Sequence, residues 1–171
     1  MDITSSLQNA EALLNLWMRG MNYSDLSRLD VVLPPRELKS AVSILKKAHW
    51  GYLSAMTGLD HPAPAPMQDD SSKALAADGS IEVLYQFCEG AAVLTLRVTV
   101  PYSAAIIPSI CSIIPYATLY EREAMELFGV TFKNTPDSER LVLPDDWPVG
   151  VYPLRKSFTG FTDPQKEELE R

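Results

Sequence analysis

An alternation of apolar and polar side chains over residues 81–100 constrains the fold of this chain more than any other feature. Ile81, Val83, Tyr85 and Phe87 alternate with Glu82, Leu84, Gln86 and Cys88. Leu94, Leu96, Val98 and Val100 alternate with Thr95, Arg97 and Thr99, and Glu89-Gly90 supplies a turn between the two runs. Successive side chains of a strand point to opposite faces, so the pattern reads as a β-hairpin with one buried face.

The segments before the hairpin alternate between helical and extended patterns. Leu7, Ala10, Leu14, Trp17 and Met18 recur at helical spacing and predict a first helix over 7–18, capped by Ser5 or Ser6. Its apolar stripe fits a core-facing helix, and a partner-facing helix at the domain edge remains open. Leu29 to Leu33 reads as a short strand. Pro34-Pro35 then opens a second helix, with Pro35 at a first helical position that suits its fixed φ. Leu38, Ala41, Val42, Leu45 and Ala48 form its buried stripe; Arg36, Lys39, Lys46 and Lys47 form a basic, solvated face. A strand follows over about 52–57. The loop around residues 60–79, with His61-Pro62-Ala63-Pro64-Ala65-Pro66 and then Asp69-Asp70-Ser71-Ser72, is an excursion without core-forming residues. This order predicts an α+β fold: a small mixed or antiparallel sheet with helices packed on one side. Residues 1–132 form the domain, and residues 133–171 form an extended Pro-rich C-terminal arm with an acidic tail from Asp163 to Arg171.

Composition closes off several functions. A formal net charge of −7 argues against nucleic acid, because phosphate binding needs a basic face. The two cysteines, Cys88 and Cys111, stand far apart in no C-x-x-C pattern and read as buried, reduced thiols rather than metal ligands. Residues 98–120 carry no charge, yet Pro101, Pro108 and Pro115 interrupt them. They read as a strand end, a short helix from Pro108 and a turn, not as a membrane span. Met1-Asp2-Ile3-Thr4 has neither a basic nor an apolar leader character, and the expected setting is the cytoplasm of a bacterium or archaeon.

Residues 118–156 concentrate the remaining signals. Thr118-x-x-Glu121 has the form of a capping box that opens a helix over 118–128. Tyr120, Ala124, Leu127 and Phe128 share one face of it, and Arg122 and Glu126 lie opposite at i, i+4, spaced to pair weakly. Gly129 stands where a left-handed C-cap is wanted. After a β-prone run at Val130–Phe132 comes an irregular arm with Pro136, Pro144, Pro148 and Pro153, carrying Trp147 and ending in Arg155-Lys156. Such an arm has few partners within itself and needs another surface to hold it.

The strings E-R-E-A-M-E-L-F-G-V-T-F, L-V-L-P-D-D-W and Y-P-L-R-K, in that order, resemble the signature of the 30 kDa-type subunit of respiratory complex I, the NADH:quinone oxidoreductase. This family includes subunits of related energy-converting membrane hydrogenases and formate-linked complexes. Ile107-Pro108-Ser109-Ile110 adds to the likeness. The chain departs from the pattern at Thr135, where the family carries histidine, at Glu139, where it carries arginine, and at Ser157, where it carries an acid. The resemblance implies a subunit without a catalytic site or cofactor of its own. It would dock on the quinone-site subunit, which is related to hydrogenase large subunits, and on iron–sulfur subunits. The clusters and the quinone would lie in those partners, and the membrane would be reached only through them, from its cytoplasmic side. Carried over residue by residue, the partner-binding positions are Glu121, Arg122, Glu123, Phe128 and Gly129 on the helix, with Pro144, Trp147, Pro153, Leu154, Arg155 and Lys156 on the arm. Trp147 suits an anchor in a partner pocket, and Arg155 suits bidentate pairing with a partner carboxylate.

Chemistry by the chain alone finds little support. No glycine-rich phosphate cradle occurs, and His49 and His61 are not spaced as a ligand pair. A stand-alone enzyme would have to use carboxylates near Glu123, such as Asp145 or Asp146, for acid–base work.

Overall fold

The computed structural model describes residues 2–63 and 78–161. Its elements are α1 (Ile3–Leu14), β1 (Gly20–Asp25), β2 (Arg28–Leu33), α2 (Leu38–Lys47), β3 (Tyr52–His61), β4 (Ser80–Glu89), β5 (Ala92–Pro101), β6 (Ile106–Pro108), α3 (Ala117–Phe128) and β7 (Thr131–Lys133). The first five strands form one sheet in the order β1-β2-β5-β4-β3. β2 and β5 run parallel; the other neighbours are antiparallel. The β4–β5 hairpin is therefore inserted between β2 and β3, which α2 connects. β6 and β7 make a separate parallel pair.

The hairpin sets the core. Its register places Ile81 opposite Val100, Val83 opposite Val98, Tyr85 opposite Leu96 and Phe87 opposite Leu94. All eight are buried. α1 packs on β5 and on α2, and α3 packs on β3. Leu38, Ala41, Val42 and Leu45 of α2 complete the apolar layer, as their spacing requires. The connection into β3 is tied down by Trp50, whose indole N–H donates to the Ser6 carbonyl at 3.0 Å. The chain turns there through His49 (φ 53°) and Gly51 (φ 56°). A Cβ on Gly51 would press into the Cys88 carbonyl, so position 51 needs glycine both for its φ and for the close approach.

The opposite sheet face carries a charged network. The Arg97 guanidinium grips Glu82 with two bonds, at 2.7 and 2.9 Å, and reaches Asp30 at 3.2 Å. His61 Nε2 lies 3.1 Å from the same Glu82 carboxylate. The Arg97 bond holds the Glu82 carboxyl below its ordinary range, His61 adds to this, and burial opposes it.

Several boundaries differ from the sequence expectation. α1 starts at Ile3 rather than Leu7, because Asp2 rather than a serine caps it, its carboxylate accepting from the Ser5 N–H at 3.4 Å. The helix stops at Leu14, and Trp17 and Met18 pack on the core from the connection that follows. β1 was not anticipated: its six residues are all exposed and its polar sequence carries no alternation. β3 continues to His61, so Asp60 and His61 are strand rather than loop. The rest of that excursion, residues 64–77, lies outside the described residues, as does the acidic tail from residue 162 onward. No helix starts at Pro108. Ile106–Pro108 is a strand whose partner β7 is brought alongside by α3, and turns lead on to α3. Ala48 is exposed, because it follows the last residue of α2.

Gly51→Ala is expected to cost about 2–4 kcal/mol, from left-handed strain plus the carbonyl clash, read as a lowered midpoint in urea unfolding. Glu82→Gln tests the network. A carboxyl whose folded pKa is depressed stabilises above its unfolded pKa and loses that contribution as pH falls through the folded value. The variant is therefore less stable than the native chain at pH 7, and the gap narrows as pH falls below the ordinary glutamate range and through the depressed folded value. A gap independent of pH would mean the ion pair is not its source.

Candidate functional site

α3 and the segment after it form one unit. The helix opens differently from the capping-box expectation. Tyr116 is the N-cap residue, in helical conformation, with no side-chain cap. Glu121 does not reach back to Thr118. It is fully buried, 0% exposed, and its Oε1 accepts the Ile110 N–H at 2.8 Å. A capping box is local, and here a non-local donor wins because it is buried and needs an acceptor. The other carboxylate oxygen of Glu121, the Thr118 hydroxyl and the Tyr85 hydroxyl are buried without hydrogen-bond partners among the described residues. Burial, and then the nearby Glu121 charge, push the Tyr85 hydroxyl well up. Burial also raises the Cys111 thiol, which Ser109, Glu121 and Thr135 surround. Thr135 thus faces the floor of this site, and its hydroxyl donates to the Asp137 carbonyl at 3.1 Å.

Arg122 and Glu126 do not pair with each other. Arg122 donates from Nε to the Glu139 carbonyl and from Nη2 to the Arg140 carbonyl, both at 2.7 Å, and its Nη1 meets the Asp137 carboxylate at 2.9 Å. Glu126 accepts the backbone N–H groups of Leu141, of Val142 at 3.0 Å and of Leu143 at 2.7 Å. Each charge satisfies backbone that has no strand or helix of its own. Glu139 takes part through its carbonyl while its side chain is exposed.

Residues 134–161 contain neither helix nor strand. Arg140, which sequence reasoning did not select, folds the middle of this segment: its guanidinium donates to the carbonyls of Pro144, of Asp145 at 3.3 Å and of Trp147 at 2.8 Å. Its signal was its place between two proline turns, which a helix or strand template does not register. Trp147 packs on Phe158 and Phe161, with centroids at 6.1 and 5.0 Å, and donates its indole N–H to the Val151 carbonyl at 2.9 Å. The aromatic anchor therefore has partners within its own chain.

The end of α3 is closed by the same segment. Gly129 has φ 70° and returns its N–H to Met125, as its sequence position predicts; a Cβ there would strike the Tyr152 ring. Leu154 N–H reaches the Leu127 carbonyl at 3.1 Å, and Arg155 Nε reaches the Phe128 carbonyl at 2.8 Å. The Arg155 guanidinium lies over the rings of Tyr102 and Tyr152, at 4.8 and 4.5 Å. Lys156 donates its backbone N–H to Asp60 at 2.8 Å, and the Tyr102 hydroxyl bonds the other oxygen of that carboxylate. Burial and that bond push the Tyr102 hydroxyl up to about 12.

Of the sequence-selected positions, the structure brings Arg122, Phe128, Gly129, Leu154 and Arg155 together at the helix–arm seam. Glu121 lies beneath the helix, Glu123 is exposed beside it, and Pro144 with Trp147 forms a separate turn farther along. Leu141, Val142, Val149, Leu154 and Phe161 point outward, with Val149 95% exposed. No helix among the described residues is long and apolar enough to cross a membrane.

Arg122→Ala and Glu126→Ala are each expected to lower stability by about 1–3 kcal/mol, from charge-assisted bonds to peptide groups left without partners. Each should speed hydrogen exchange over residues 139–143 while the β4–β5 amides keep their protection. Uniform loss of protection across the sheet would contradict the seam.

The family model described as "Respiratory-chain NADH dehydrogenase, 30 Kd subunit" matches residues 31–164. The membrane-bound hydrogenase beta subunit of Pyrococcus furiosus is 42% identical over 67 residues, 39% of each chain. The C subunit of the F(420)H(2) dehydrogenase of Methanosarcina mazei is 36% identical over 112 residues, 64% of this chain and 61% of that protein. The C subunit of the NADH-quinone oxidoreductase of Moorella thermoacetica is 32% identical over 131 residues, 75% of this chain and 78% of that one. The chain thus spans less than two thirds of the hydrogenase and F(420)H(2) dehydrogenase relatives. A chain of the membrane-bound sulfane sulfur reductase, an archaeal respiratory membrane complex, shares the fold with a TM-score of 0.73 at 21% identity, covering 98% of this chain and 92% of that one. By the extent of the family match and the length of the identity to the Moorella thermoacetica protein, this chain belongs to the family of the 30 kDa subunit of the respiratory-chain NADH dehydrogenase.

Proposed function

We propose that this chain is a structural subunit of the peripheral arm of a complex I-like oxidoreductase. It carries no cofactor and no catalytic residue of its own. Its partners are the quinone-site subunit, related to hydrogenase large subunits, and the adjacent iron–sulfur subunits; quinone and clusters belong to those chains. It reaches the membrane only through them, on the cytoplasmic side. The observation that carries this reading is the two-sided arm: its polar backbone is turned in on α3, and Leu141, Val142, Val149 and Leu154 are turned out. Exposed large apolar side chains concentrated on one such segment suit a surface for another protein.

The 42% identity to a membrane-bound hydrogenase subunit supports a second reading. In it the parent complex is an energy-converting membrane hydrogenase or formate-linked enzyme. Acid–base catalysis gains nothing from the site. Glu121 is buried on a backbone N–H and Glu126 holds three others, so among the described residues Glu123 alone of the three carboxylates is free of such bonds.

Affinity purification of the chain from gently solubilised membranes of its native host, followed by mass spectrometry, tests the proposal. A hydrogenase-like large subunit and iron–sulfur subunits are expected to accompany it, and the remaining partners identify the electron donor. Recovery of the chain alone from the soluble fraction would overturn it. The double substitution Val149→Asp, Leu154→Asp is expected to cut recovery of partners at least tenfold, with the circular dichroism of the isolated chain unchanged.

A further inference from the structure

The five-stranded sheet ends in two unlike edges. β1 is short, polar and kinked by a register shift between Tyr23 and Asp25, which are ordinary protections against further pairing. β3 is ten residues long and contains neither lysine nor proline. Its first part is occupied from outside: the Tyr116 hydroxyl donates to the Leu53 carbonyl at 3.1 Å and the Tyr120 hydroxyl to the Ser54 carbonyl at 3.2 Å. Its far end is held at Asp60 by Lys156. Between these, over Met56–Leu59, no donor or acceptor among the described residues meets the outer backbone edge.

This open run lies beside two depressions that share Gly58, Phe128 and Leu154. One is a notch of about 40 Å³ that Glu123 borders; the other is a wider groove of about 310 Å³ that Lys156 borders. Neither Glu123 nor Lys156 has an ion-pair partner among the described residues. The edge therefore has an acid toward one end, a base toward the other and an apolar step between.

We propose that β3 accepts an extended strand from another subunit of the complex, pairing backbone to backbone with Met56–Leu59. This rests on the subunit reading above and names a second contact of the same chain, which adjoins the outward residues of the arm at Leu154. Charge complementarity specifies the strand: a basic residue opposite Glu123, an aliphatic residue over Gly58 and Leu154, and an acidic residue opposite Lys156. Main-chain bonds supply affinity in such additions, and flanking side chains supply choice of partner.

Hydrogen exchange read by mass spectrometry on peptides covering 52–61 tests this, on the isolated full chain and on the purified complex. Amides within Met56–Leu59 are expected to exchange at least tenfold more slowly in the complex. Slow exchange already in the isolated monomer would assign the edge to another segment of this chain, and slow exchange only in a dimer would assign it to a second copy. Either outcome overturns the proposal, as does equal, fast exchange in both samples. Thr57→Lys, an edge charge solvated in the free chain, is expected to reduce incorporation at least tenfold. Thr99→Lys, on the same sheet face but on the interior strand β5, is expected to leave incorporation within twofold; equal loss in both would point to the sheet face rather than the edge. A chain that never associates with partners refutes the subunit reading. A chain that associates with β3 left unprotected refutes only this inference.

Discussion

The helix–arm seam depends on two charges of α3 that ignore each other. Arg122 and Glu126 stand at the spacing of an exposed helical ion pair, which contributes only about 0.2–0.5 kcal/mol. The set of charge-assisted bonds that each makes to peptide groups otherwise without partners is worth more, about 1–3 kcal/mol. The stronger bonds win: Arg122 takes the carbonyls of Glu139 and Arg140, and Glu126 takes the N–H groups of residues 141–143. The order matters as well as the strength. The backbone presents acceptors and then donors, and the helix presents a cation and then an anion one turn later.

The dependence runs both ways. A helix ends with carbonyls that have no partner within it. Here Gly129, Leu154 and Arg155 satisfy the carbonyls of Met125, Leu127 and Phe128. The chain after α3 therefore serves as its C-cap, and Tyr152 occupies the space that a side chain at position 129 would need. Asp60 extends the tie to the sheet by accepting from both Lys156 and Tyr102.

What the sequence made legible was periodic. The hairpin, the α2 stripe and the apolar face of α3 follow from repeats of two and 3.6 residues that burial imposes. What it hid was non-local. Glu121 looks like half of a capping box because Thr118 is three residues away; its true donor, Ile110, comes from the preceding turn. β1 has no apolar signal because neither of its faces is buried. Ile106–Pro108 pairs with a strand that only α3 brings alongside. The arm was legible as irregular from its prolines and as the carrier of the family likeness. That Arg122, Glu126 and Arg140 would be spent on its backbone was not, since no local pattern encodes which peptide group a charged side chain will meet.

This arrangement bears on how the chain would bind. Ordering backbone costs about 1–2 kcal/mol per residue, and a segment that folds only on binding draws that cost from its affinity. Here the seam, the Arg140 turn and the Trp147–Phe158–Phe161 cluster impose much of the order before any partner arrives. The apolar residues left outside are then held at fixed positions on a scaffold anchored to the sheet. Damage to the seam would therefore act chiefly on association, by loosening the presented surface, while the sheet core beneath α1 and α2 keeps its own contacts.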